Sequence, residues 1–279
     1  GSAVAARLYT GVPVRCSVMQ LEICIDSGES AIAVERGGSD RVELCSDLLE
    51  GGITPSAGLI ATVRRSIRIG VFMMIRPRGS DFCYTDAEFA VMQEDIRRAR
   101  DLGADGVVLG VLNEDATVDV ARTAVLVRLA DPLPVTFHRA IDMTPDPVSA
   151  IEAVIETGAR RVLTSGGAAK VTEALDTVAR MVAATGGRVS LMPASGINPK
   201  TIATVAAATG ASEFHAALRT EFPSPVRYRK EGVTMGDIPD REYLRFGLQE
   251  DRVRALRVAL ESLAREPNAA TSHRSAQES

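Results

Sequence analysis

The sequence predicts a single-domain α/β protein folded as a (β/α)8 TIM-like barrel. Three observations carry that prediction. The first is an internal repeat: Gly38-Ser39-Asp40-Arg41-Val42-Glu43-Leu44 is echoed by Gly103-Ala104-Asp105-Gly106-Val107-Val108-Leu109. Gly158-Ala159-Arg160-Arg161-Val162-Leu163-Thr164 and Gly210-Ala211-Ser212-Glu213-Phe214-His215-Ala216 follow the same form. In each, a glycine suited to the left-handed end of a helix precedes a short apolar strand. The second observation is spacing: 65, 55 and 52 residues separate the repeats. A βα unit needs only about 25 to 35 residues, so each interval holds two units. The third is strict strand–helix alternation, eight times over about 250 residues. The fourfold regularity favours a closed barrel over an open, doubly wound sheet.

The elements follow in order. Residues 20–25 form the opening strand, and the repeats supply the second, fourth, sixth and eighth. Apolar runs at 70–75, 133–137 and 188–192 supply the third, fifth and seventh. Helical stretches fall between and after them at 27–36, 57–66, 86–102, 118–130, 146–157, 171–185, 199–209 and 251–265. Asp26 with Glu29 reads as a capping box, and Thr54-Pro55 as an N-cap followed by proline in the first turn. The connection 217–249, with Arg219, Arg227, Arg229 and Lys230, is too long for a βα turn. Loops of that length are usually functional or disordered. The barrel is expected to span 19–265, after an N-terminal extension 1–18 that opens with a tag-like Gly1-Ser2 and before a mobile, polar tail 266–279.

Composition excludes several function classes. The chain is 46% hydrophobic and 24% charged but only 4% aromatic, with no Trp, so it lacks the stacking platforms of a single-strand nucleic-acid binder. A net charge of −4 argues against a phosphate-backbone partner. No run approaches the ~18 apolar residues of a membrane span. Four cysteines without a Cys-x-x-Cys pair, in a chain this long, indicate a reducing, cytoplasmic setting rather than a disulfide scaffold.

Strand alternation places chemistry inside the barrel. If Leu21, Ile23, Ile25, Val42, Leu44, Val135, Phe137 and Phe214 face the helices, then Glu22, Cys24, Asp26, Glu43, Cys45, Thr136, His138, Glu213 and His215 point inward. Phe72, Met74, Arg76 and Met192 join them. Glu22, Glu43, Arg76, His138, Glu213 and His215 would then converge near the strands' carboxyl ends, where active sites of this fold lie. Two readings stand: catalytic acid–base groups, or a structural ion network around Arg76. Arg76 with the loops Thr164-Ser165-Gly166-Gly167 and Ala194-Ser195-Gly196 offers N–H groups to an anion, so Ser165, Gly166, Ser195 and Gly196 are candidate anion binders; ordinary loop turns are the alternative. Cys24 and Cys45, on adjacent strands, are either small core fillers or thiolate ligands for Cu(I), with Met74 as an additional soft donor.

Several stretches resemble the CutC copper homeostasis family. They are Leu21-Glu22-Ile23-Cys24-Ile25-Asp26, Asp40-Arg41-Val42-Glu43-Leu44-Cys45 with Glu50-Gly51-Gly52-Ile53-Thr54-Pro55-Ser56, and Met74-Ile75-Arg76-Pro77-Arg78-Gly79. Thr136-Phe137-His138-Arg139-Ala140-Ile141-Asp142, Thr164-Ser165-Gly166, Glu213-Phe214-His215-Ala216, Arg227-Tyr228-Arg229 and Val233-Thr234-Met235-Gly236 extend it in order. The resemblance implies a cytoplasmic, homo-oligomeric TIM-like barrel concerned with copper, with Cys24 and Cys45 as the Cu(I) ligands. The chain departs from it at Ala194-Ser195-Gly196, where the family has consecutive glycines, and at Pro223-Ser224-Pro225. The expected function is copper binding or trafficking. The alternative is an enzyme that acts on a small phosphate- or carboxylate-bearing metabolite by Glu/His acid–base chemistry.

Overall fold

A computed structural model describes residues 19–235 and 241–265. The expected extension 1–18, the tail 266–279, Cys16 and His273 lie outside the described residues. Eight strands build the barrel: β1 (Gln20–Ile25), β2 (Arg41–Leu44), β3 (Gly70–Met74), β4 (Gly106–Leu109), β5 (Val135–Phe137), β6 (Arg161–Thr164), β7 (Ser190–Pro193) and β8 (Glu213–Ala216). The hydrogen-bonded order runs β7-β6-β5-β4-β3-β2-β1-β8, all parallel, and β7 packs beside β8, so the barrel is nearly closed. Seven helices cross between strands: α1 (Gly28–Arg36), α2 (Ala57–Ser66), α3 (Asp86–Asp101), α4 (Val120–Ala130), α5 (Pro147–Glu156), α6 (Leu175–Thr185) and α7 (Ile202–Thr209). An eighth, α8 (Glu250–Arg265), closes the ring against α1 and α7.

Local chemistry explains the boundaries and corrects four of them. Ser27, not Asp26, caps α1, because its hydroxyl accepts from the Ser30 N–H. Ser56, not Thr54, caps α2. Thr54 is spent elsewhere: its hydroxyl accepts from the Arg76 N–H at 3.0 Å and tethers the loop after β2 to the end of β3. The stretch 171–185 is interrupted at Ala174, where a 3-10 turn gives way to α6 without a side-chain cap. The stretch 199–209 becomes helical only at Ile202, because the Thr201 hydroxyl folds back on the Asn198 N–H and the Gly196 carbonyl. The long connection after β8 also has its own structure: β9 (Thr220–Pro223) and β10 (Leu244–Gly247) pair as an antiparallel ribbon.

The predicted alternation holds. Leu21, Ile23, Ile25, Val42, Leu44, Met73, Val107, Leu109, Phe137 and Phe214 pack with the helices in one continuous core. Inside the barrel, Cys24, Cys45, Phe72, Met74 and Val108 form a separate apolar cluster, and Leu163, Met192 and Ala194 a third. Polar side chains occupy the rest of the interior. At its amino end the Phe72 ring lies under two guanidiniums, Arg41 at 5.5 Å and Arg161 at 5.1 Å from its centroid. Room for that ring comes from Gly106, where a Cβ would fall 2.2 Å from Phe72 Cε1. Gly106→Ala is therefore expected to displace the ring from between the arginines and destabilise the barrel by about 1–3 kcal/mol, read from the denaturant midpoint.

Candidate functional site

The site grows from the base of the barrel upward. Arg41 opens β2 with its side chain inside, 4% exposed. It binds Glu22 Oε2 at 2.6 Å and pairs with Glu213, which Arg161 also holds at 2.7 Å. A buried charge is tolerated only when paired, and here each arginine meets a carboxylate. The structural ion network expected around Arg76 therefore exists around Arg41 instead. Neither Arg41 nor Arg161 stood among the candidates, although alternation puts Arg41 on the face of Glu43 and Arg161 on that of Leu163.

Glu22 passes the order upward. Its second oxygen meets His215 Nδ1 at 2.8 Å, and His215 Nε2 lies 3.8 Å from Glu43 Oε2. Glu43 Oε2 in turn meets Cys45 Sγ at 3.6 Å, and the Cys45 and Cys24 sulfurs are 3.9 Å apart. This chain of contacts sets the protonation of each group. Burial alone would raise Glu22, but the hydrogen bond from His215 and the charge of Arg41 outweigh it and hold Glu22 at about 2. Burial opposes charge on His215 as well, yet Glu43, Cys24 and Glu22 around it raise its pKa well above the ordinary value. Glu43 is pushed well up by burial and then by the neighbouring Cys24 sulfur. The hydrogen bond from Cys45 lowers Cys24 to about 6, while the same contact and burial raise Cys45. At neutral pH the pair is thus a thiolate beside a thiol.

A cavity of about 440 Å³ opens above these groups at the carboxyl ends of the strands. Cys24, Glu43, Met74, Arg76, His138 and His215 line it, with Ser195 and Gly196. The catalytic candidates therefore converge, except that Glu22 lies beneath His215 as its partner; Glu213, expected with them, instead stays at the base with Arg41 and Arg161, because it opens β8. Cys45 sits behind Cys24. Cys83, on the loop before α3, takes no part.

The two anion loops differ. The loop after β6 is already filled: Asp142 accepts from the backbone N–H groups of Ser165 and Gly167 and from the Thr164 hydroxyl. The Gly166 N–H is taken by Thr164 Oγ1 at 2.9 Å. Ser165 is thus occupied by the protein's own carboxylate, and Gly166 by the Thr164 hydroxyl. Asp142 was missed because it reaches this loop from the 3-10 turn after β5, which sequence spacing does not reveal. After β7, Ser195 adopts a left-handed φ of 68°, steadied by its hydroxyl on the Ala169 carbonyl at 2.7 Å, and Gly196 follows at 86°. Both remain on the cavity wall. Ser195 therefore holds a backbone shape that favours glycine, at a conformational cost that its hydrogen bond offsets.

Arg76 makes no pair with a carboxylate among the described residues. Its guanidinium binds the carbonyls of Glu50, Gly52 and Ser80 at 2.6, 3.0 and 2.8 Å.

Known proteins resemble this chain over most of its length. A model of the CutC family matches residues 19–220. A family protein CutC from Chromobacterium violaceum is 48% identical over 241 residues, covering 86% of this chain and 98% of the relative. A human protein named copper homeostasis protein cutC homolog is 45% identical over 231 residues, 83% of this chain and 85% of its own. A crystal structure described as a copper homeostasis protein CutC, from Streptococcus agalactiae, superposes with a TM-score of 0.68 at 30% identity, over 71% of this chain and 98% of that one.

The linkage between base and mouth predicts a pH-dependent stability. Glu22 titrates at about 2 folded against 4.5 ordinarily, so its contribution is complete above 4.5 and fades as pH falls toward 2. Glu22→Gln should lower the unfolding free energy at pH 7 by about 3 kcal/mol, since it leaves Arg41 and His215 short of an anion. Urea titrations should show the difference shrinking below pH 4.5 and gone near pH 2.

Proposed function

This chain belongs to the CutC family, and from that premise we propose that it is a cytoplasmic copper homeostasis protein that takes up Cu(I) through Cys24 and Cys45. The observation that carries the reading is the buried sulfur pair. Twice a metal–sulfur bond of about 2.3 Å exceeds their 3.9 Å separation, so one ion reaches both without the strands parting. Met74, in the same buried cluster as both cysteines, supplies a third soft donor. The Glu43 carboxyl also lies within reach of the two sulfurs but is a harder donor, poorly suited to Cu(I). Both cysteines are free thiols, as a reducing compartment keeps them. The reading includes a homo-oligomer, supported by Val226, Tyr228 and Met235, which expose apolar surface on the segment after β9.

A second reading, an enzyme that acts on a small phosphate- or carboxylate-bearing metabolite, is favoured by one arrangement. Glu22 favours a charged His215, while burial favours the neutral acid form of Glu43 on the cavity wall, the form that can give a proton to a bound oxygen.

Competition with a Cu(I) chelator tests the first reading. Cys24→Ser with Cys45→Ser should weaken Cu(I) binding by at least about a hundredfold, and Met74→Leu by less; unchanged affinity in the double variant removes the site. The pH dependence has a definite sign. Between pH 7 and 8 the pair carries one proton, on Cys45, which the ion must displace, so affinity should rise roughly tenfold per pH unit. Below about 6, where Cys24 also becomes protonated, the slope should approach two protons per ion.

A further inference from the structure

Two buried side chains on the cavity wall carry hydrogen-bonding capacity that the protein does not use. Arg76 is 5% exposed, and its Nε finds no partner. A guanidinium has five N–H donors. Glu50 O and Gly52 O bind Nη1, Ser80 O binds Nη2, and the Tyr84 hydroxyl also interacts with the guanidinium, which leaves Nε–H without a partner. A carboxylate oxygen is the acceptor that suits such a charged donor. The positive charge itself is also uncompensated, because carbonyls hold it in place without neutralising it.

His138, 3% exposed, is the second. Its Nδ1 accepts the Ala140 N–H at 3.2 Å, so in the neutral ring the proton sits on Nε2, which has no partner. Burial, and then the charge of Arg76, lower its pKa to about 3, so the ring stays a neutral donor. Phe82 joins the two: its ring centroid lies 4.9 Å from that of His138 and 5.0 Å from Arg76 Cζ. All three line the same cavity, and so does Glu43, whose Oε1 is likewise unpartnered.

We propose that this cavity binds a small α-hydroxycarboxylate, its carboxylate on Arg76 and His138 and its hydroxyl on Glu43. The inference deepens the second reading above, and rests on its claim that the barrel mouth takes a small anion. A carboxylate fits better than a phosphate for two reasons. One unneutralised arginine and one neutral imidazole match a flat monoanion. The N–H cradle after β6, which would serve a phosphate, already holds Asp142. A hydroxyl both donates and accepts, so it satisfies Glu43 Oε1 in either protonation state.

The test is calorimetric titration of the copper-free chain with glycerate, glycerol and inorganic phosphate. Saturable binding of glycerate, with glycerol and phosphate at least tenfold weaker, is expected. His138→Phe and Arg76→Lys should each weaken glycerate at least tenfold. Arg76 also holds loop carbonyls, so unfolding midpoints are recorded without ligand; if Arg76→Lys unfolds, His138→Phe decides alone. Equal binding of glycerol, or unchanged affinity in His138→Phe, overturns the proposal. Binding of phosphate without glycerate also overturns it but leaves the small-anion reading standing, whereas binding of neither removes both. Neither copper nor turnover enters the measurement, so the copper reading is untouched by its failure.

Discussion

The paired charges at the base of the barrel are the constraint on which the rest depends. Arg41 lies where a barrel of this fold normally packs branched aliphatics. Taking a guanidinium out of water costs several kcal/mol unless it is paired. Glu22 and Glu213 meet that requirement, and Arg161 shares Glu213. Because Glu22 is fixed by Arg41, its free oxygen is fixed on His215. A charged His215 then stabilises a thiolate on Cys24. Chemistry at the mouth is thus set two layers below it.

The mouth itself divides between groups that are satisfied and groups that are not. Asp142 fills the N–H cradle after β6, and Arg139 binds both that carboxylate and the Ser165 hydroxyl. Arg76 and His138, a few ångströms of aromatic ring apart, line the cavity and each keep one buried donor without a partner. Buried polar groups are normally hydrogen-bonded, so exceptions gathered around one cavity mark the place where a ligand completes the network. The sulfur pair and the donor pair line different parts of the same cavity and make different demands, one for a soft ion and one for an oxyanion.

The repeat, the helix-ending glycines and the apolar alternation determined the barrel, because each encodes a local period that the fold must obey. They also determined which side chains enter the interior: Glu22, Cys24, Glu43, Cys45, His138 and His215 all do. Parity was sufficient for that, since a strand has only two faces. Applied to Arg41 and Arg161 as well, it would have placed them inside. Boundaries were less legible. Ser27 and Asp26 compete for one cap, and so do Ser56 and Thr54; in the second case the loser is held by the Arg76 backbone instead.

Only the tertiary structure decided which interior groups are partners. The sequence offered Arg76 as the hub of an ion network and Ser165 and Gly166 as an anion cradle. The fold gave the hub to Arg41, filled the cradle with Asp142, and left Arg76 among carbonyls. The reason is physical. Which face a residue takes follows from local geometry, but a partner is set by register between strands and by where a loop returns. Glu22 faces His215 across 193 residues of chain, through the pairing of β1 with β8. The sequence alone therefore determined the architecture and the interior's composition; barrel closure determined the pairings, and with them the charge of every group at the site.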